Sequence, residues 1–215
     1  MKAASHSFSK HGGANEDALR TCTHAREPSM FLAFLADGLG GRPGGAHAAN
    51  IAVETGMALA GAATSAQVGR PEFWTEMLTT IDMEIQRAEV AGYTTLVAMC
   101  VAGGAVVGAS VGDSDALLIV GLKPPVWLTG AQKKEPALGF GAARPVAFRA
   151  ILGNSWTLAL MSDGVTKFAG KERPLPEILL GQDSENAAQE LLNEAKLRGG
   201  GQLVDDFSLI ILRNE

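Results

Sequence analysis

Acidic residues in this chain collect where apolar runs give way to turns. Asp37 ends the run Met30 to Ala36, and Asp113 sits in the tight turn Gly112-Asp113-Ser114-Asp115. Asp163 follows the run that ends at Met161, Asp205-Asp206 precede the last apolar run, and Glu16-Asp17 stand near the start. Strand ends and turns can project short carboxylates into one shared cleft. Gathered there, carboxylates repel one another unless a cation neutralises them. An all-oxygen donor set suits hard divalent ions such as Mg²⁺ or Mn²⁺. Singly, each aspartate has a plainer reading as a turn residue capping local amides. The argument for chemistry rests on the set.

The elements that must position these acids are legible in outline. Met30 to Ala36 reads as a buried strand, followed by a glycine-rich turn and an alanine-rich helix over about Ala46 to Ala60. Pro71 opens a second helix, in which Phe73, Trp74, Met77, Leu78, Ile81 and Ile85 recur at helical spacing, with Gly92 as its stop. Thr94 to Gly112 carries no charge and is close in length to a membrane span. Gly103-Gly104 at its centre, between two β-rich runs, instead signals a hairpin buried on both faces. With Ala116 to Val120 these runs are expected to form a three-stranded meander. Further strands are expected over Val146–Ile151, Thr157–Met161 and Phe207–Leu212, and a helix from Asp183-Ser184 to Gly199. Helices in pairs and strands in consecutive runs give an α+β arrangement with largely antiparallel sheet.

Composition narrows the function. At 215 residues the chain is expected to form a single domain over 1–215. The net charge of -5 argues against nucleic-acid binding, and two cysteines make neither a disulfide framework nor a metal knuckle. No signal-like apolar segment opens the chain, so a cytoplasmic location without membrane insertion is expected. Gly108-Ala109-Ser110-Val111-Gly112 spells an esterase elbow, but His6, His11, His24 and His47 all precede it, whereas that chemistry needs a later histidine. Gly38 to Gly45 lacks the Lys-Ser/Thr ending of a phosphate-binding loop.

Six short contexts fall in a familiar order: Asn15-Glu16-Asp17, Asp37-Gly38-Leu39-Gly40-Gly41, Gly92-Tyr93-Thr94-Thr95, Val111-Gly112-Asp113-Ser114, Ser162-Asp163-Gly164 and Asp205-Asp206-Phe207-Ser208. In this register, over nearly the whole chain, the sequence resembles the metal-dependent protein phosphatases of the protein phosphatase 2C type. The resemblance implies an antiparallel β-sandwich flanked by helices on both sides (α-β-β-α) and a hydrolase for phosphoserine and phosphothreonine on proteins. It implies two Mn²⁺ or Mg²⁺ ions with a possible third, and attack by a hydroxide bridging two ions roughly 3.5–4 Å apart. Asp37 is then the bridging ligand, with the Gly38 carbonyl, Asp163, Asp205 and Glu16 completing the two ions' shells. Asp113, paired with Asp163, corresponds to the place of the third ion, and Asp17 and Asp206 are supporting acids.

The departures from the family pattern are specific. An Arg that grips the substrate phosphate is expected three residues before Asn15, where this chain has Gly12; Lys10 and His11 are the nearby substitutes. Asp115 replaces a usual Arg and offers the cluster a further acid. The segment Leu128 to Arg149 is short for the family's flap region. These departures sustain an alternative, a pseudophosphatase acting as a metal- or phosphate-binding interaction module.

Overall fold

The computed structural model describes residues 1–10, 12–40, 44–89 and 92–214. Among these the chain forms strands β1 (Lys2–Phe8), β2 (Asp17–Thr23) and β3 (Phe31–Asp37), then helices α1 (Gly45–Ala62), α2 (Ser65–Val68) and α3 (Pro71–Arg87). Strands β4 (Leu96–Ala102), β5 (Ala105–Val111), β6 (Asp115–Val120), β7 (Val126–Trp127), β8 (Val146–Ile151) and β9 (Trp156–Met161) follow. Helices α4 (Asp163–Thr166), α5 (Leu175–Gly181) and α6 (Ser184–Arg198) and strand β10 (Phe207–Asn214) complete it. Two five-stranded antiparallel sheets result, ordered β1-β10-β9-β6-β7 and β2-β3-β4-β5-β8.

Period-two burial explains why the sheets stack. Along β3, Leu32, Phe34 and Ala36 face one apolar cluster while Ala33 and Leu35 face another. Along β10, Phe207, Leu209 and Ile211 alternate with Ile210 and Leu212 in the same way. Both faces of these strands are therefore covered, which is why they read as continuous apolar runs. The middle cluster, including Leu35, Met99, Leu158 and Ile210, lies between the sheets. The outer ones join β3 and β4 to α1 and α3 through Phe34, Trp74 and Ile81, and β9 and β10 to α5 and α6 through Phe207, Ile178 and Leu191. This is the expected α-β-β-α layering.

The uncharged stretch is a hairpin and not a span. β4 and β5 pair from Leu96↔Val111 to Ala102↔Ala105, with Gly103 and Gly104 both at positive φ in the turn. No helix among the described residues is long and apolar enough to cross a membrane. The meander, however, stops there. The far edge of β5 is taken by β8, and the turn at Gly112 (φ 93°) sends β6 into the other sheet, between β7 and β9. Helix α3 ends at Arg87 rather than running on to Gly92, because Ala88 is extended.

Candidate metal centre

Each acid reaches the site by a separate local device. Asp17 opens β2 and Asp37 closes β3, and the two stand directly opposite each other in the antiparallel register. The Asp37 main chain is clamped by two threonines. Its N–H donates to Thr95 Oγ1 (3.0 Å), and its carbonyl accepts from Thr95 N–H (2.9 Å) and Thr94 Oγ1 (2.9 Å). Thr95 Oγ1 in turn meets Ser114 Oγ at 2.7 Å, tying the strand end to the turn that carries Asp113. Asp163 starts α4 directly after β9, and Asp205 precedes β10, the strand paired with β9. Gly164 is obligatory in that packing, since a β-carbon there would lie 1.9 Å from the Asp206 carbonyl oxygen. Gly38 is similarly wedged, 2.5 Å from the Glu16 carbonyl oxygen by the same construction.

Asp37, Gly38, Asp113, Asp163 and Asp205 line one open cleft of about 450 Å³, together with Lys10. Glu16 joins them through Lys10, whose ammonium donates to Glu16 Oε2 and to Asp205 Oδ1, both at 3.2 Å. Asp206 stands behind, accepting the N–H groups of Lys10 and Glu16 on its two oxygens, each at 2.8 Å. It thereby holds the N-terminal segment against the cleft. The sequence-predicted acids are thus brought together, with Asp17 and Asp206 behind the lining. His11 lies outside the described residues. Asp115 does not join the cluster. It accepts from Thr129 Oγ1 at 2.8 Å and lines a neighbouring groove beside Leu117 and Trp127.

Burial and mutual repulsion dominate the electrostatics. Burial, reinforced by the charges of Asp17, Asp163, Asp205 and Asp113, pushes the Asp37 carboxyl up to about 9. Burial and the Asp206 charge push Asp17 up to about 7. The nearby Ser208 and Ser162 hydroxyls oppose this rise without reaching hydrogen-bond geometry: Ser208 Oγ meets Ser7 Oγ at 2.7 Å, the Ser162 hydroxyl donates to the Asp206 carbonyl at 3.3 Å, and both Asp17 oxygens lack a partner among the described residues. Burial works against the Lys10 ammonium, but hydrogen bonds to Asp205 and Glu16 raise it well above the usual range. Two further lysines reach the cluster. Lys134 Nζ pairs with Asp113 Oδ2 at 2.7 Å; Lys167 Nζ pairs closely with Asp163 and lies 3.9 Å from Asp113.

Among the described residues no three acidic, histidine or cysteine side chains already converge on a single point as an ion site. Lysine ammonium groups stand between several of the carboxylates instead. The residues nonetheless fit divalent ions. Asp17 is buried and Asp37 half-buried at the cleft, neither carboxylate having a hydrogen bond or ion pair among the described residues, and withdrawing an unpaired charge from water is costly. The donors around them are all oxygen, the chemistry hard cations require.

Sequence reasoning missed Lys134, Lys167 and Asp82. The last, buried on α3, accepts the N–H groups of Gly139 (2.6 Å), Gly141 (3.1 Å) and Ala143 (3.1 Å), anchoring the segment 128–145 that carries Lys134. An aspartate inside an apolar helical stripe was the available signal.

A family model described as Protein phosphatase 2C matches residues 5–195. Among solved structures, a bacterial serine phosphatase is 20% identical over 100% of this chain and 98% of that one, with a TM-score of 0.82. The serine/threonine phosphatase Stp1 from Staphylococcus aureus is 20% identical over 98% of this chain and 93% of that one, with a TM-score of 0.76. The catalytic domain of the serine threonine protein phosphatase PstP, solved in complex with two manganese ions, is 20% identical over 98% and 96%, with a TM-score of 0.78. At such identities these structures show likeness of fold. No curated protein matches the sequence.

Proposed function

The chain belongs to the protein phosphatase 2C family, and from that premise we propose that it is a Mn²⁺- or Mg²⁺-dependent phosphatase removing phosphate from serine and threonine residues of proteins. The observation that carries this reading is the pair Asp17 and Asp37. These carboxylates face each other across β2 and β3 with no ammonium or guanidinium within ion-pair distance among the described residues, while Lys10, Lys134 and Lys167 serve other acids. An Asp37 carboxylate in such a state, with the Asp17 charge behind it adding to the repulsion, calls for a cation from outside the chain.

Glu16, Asp37, the Gly38 carbonyl, Asp163 and Asp205 would hold two divalent ions, which supply charge neutralisation of the phosphoryl oxygens and a water nucleophile at neutral pH. The rest falls to the chain. Four carboxylates carry the charge that two divalent ions balance. Asp206 keeps Glu16 and Lys10 in place through their main-chain N–H groups. Lys10, which lines the cleft beside Glu16 and Asp205, would offer the phosphate a positive charge. It takes over from the family's arginine as a point charge without a bidentate fork.

A second reading, an interaction module that binds phosphate without turnover, is favoured by Gly12 and by the lysines that already satisfy several of the acids. Phosphate release from phosphoserine, phosphothreonine and phosphotyrosine peptides in Mn²⁺ separates the two. The phosphatase reading expects release from the first two. A folded, Mn²⁺-binding sample that releases none overturns it in favour of the module.

A further inference from the structure

The cleft holds more carboxylate than two ions need, and the excess is met by two lysines from different elements. Asp113 Oδ2 is 2.7 Å from Lys134 Nζ, and 3.9 Å from Lys167 Nζ. Lys134 sits on the segment 128–145, which is tied down on both sides of it, by Leu128 and Thr129 to β6 and by Leu138 to Thr94, so its main chain is held beside Asp113. Lys167 stands one helical turn beyond Asp163 and pairs with it. The two lysines therefore cover the pair Asp113–Asp163 from two sides.

We propose that Asp113 is reserved for the ammonium groups of Lys134 and Lys167, so that this chain holds two divalent ions and excludes a third from the Asp113–Asp163 pair. The charges lead to the same count. Glu16, Asp37, Asp163 and Asp205 supply four negative charges, which two divalent ions match. When Asp163 is taken by an ion, Lys167 loses that partner but keeps Asp113 within reach. Asp113 is then one negative charge between two positive ones. A third divalent ion would have to displace Lys134 and sit beside two ammonium groups, a like-charge arrangement that opposes binding. The expectation from sequence that Asp113 serves a third ion is replaced, in this chain, by a lysine pair.

This inference rests on the proposed metal dependence, and counting bound Mn²⁺ tests the two apart. Equilibrium dialysis against Mn²⁺, with metal measured per chain, is applied to the wild type, to Lys134→Met, to Lys134→Met/Lys167→Met, and to that double variant with Asp113→Ala added. The expected result is two ions in the wild type, three in the double variant, and two again once Asp113 is removed. Lys134 is 63% exposed, so Lys134→Met does not threaten the fold. By itself it tightens the third ion by up to about fivefold, the scale of one exposed ion pair. Three ions in the wild type, or two in a folded double variant, overturns the inference while leaving the metal-dependent reading intact. No ion bound to the wild type overturns both.

Discussion

At the scale of single residues, the site is held in a state that its own carboxylates oppose. Asp37, ordinarily near 3.8, is raised to about 9 by burial and by neighbouring acids. Because the folded chain keeps a proton there that the unfolded chain releases, this group's contribution to stability is lost as pH rises from near 4 towards 9. An uncharged isostere escapes that loss. Asp37→Asn is therefore expected to raise the metal-free melting temperature, by more at about pH 8 than at about pH 6, each kcal/mol corresponding to about 2–4 °C at this chain length. Differential scanning fluorimetry in chelator checks it, and a wild type as stable as the variant at the higher pH contradicts it. The acids themselves were legible in the sequence, because strand-end acids in five of six ordered contexts leave a recognisable spacing. Their counter-ions were not. Lys134 and Lys167 belong to no such context, and only the folded chain brings them to Asp113.

At the scale of elements, the segment 128–145 is a loop whose later part, 139–143, is anchored by one buried carboxylate. Asp82 accepts the N–H groups of Gly139, Gly141 and Ala143, and Tyr93 stacks on Phe140 at 4.0 Å. Asp82→Ala leaves three amides without their acceptor and is expected to cost about 2–4 kcal/mol. Hydrogen exchange should show protection lost at Gly139, Gly141 and Ala143 with the central strands unchanged; full protection there would remove Asp82 as the anchor. Helices α3 and α6 were legible from a helical period in their buried residues, α1 from its alanine-rich run, and strands β3, β4, β5, β6, β8, β9 and β10 as short apolar runs bounded by turns. β1, with the sequence Lys-Ala-Ala-Ser-His-Ser-Phe, shows no apolar alternation, because it is an edge strand exposed over much of its length. It forms by pairing with β10, a partner far away in sequence. The two-residue β7 and the single-turn α4 are too short for any period.

At the scale of the whole molecule, the stacking of two sheets between helices sets acids from distant parts of the chain around one end of the sandwich. The register of β2 on β3 fixes Asp17 against Asp37, and that of β9 on β10 fixes Asp163 near Asp205. Cover on both faces followed from the continuous apolar strands, and the two-sheet layering from the family resemblance. The crossing of β6 into the second sheet did not, because a glycine turn looks the same whether it closes a hairpin or changes sheet. The central claim is that this framework hydrolyses phosphomonoesters only when divalent ions occupy the acid cluster. Its most direct test is hydrolysis of p-nitrophenyl phosphate across a Mn²⁺ titration, with chelator as the blank and Asp37→Asn alongside. The account predicts turnover that rises with Mn²⁺, vanishes in chelator and is lost in the folded variant. Turnover that persists in chelator, or that Asp37→Asn retains in full, would contradict it.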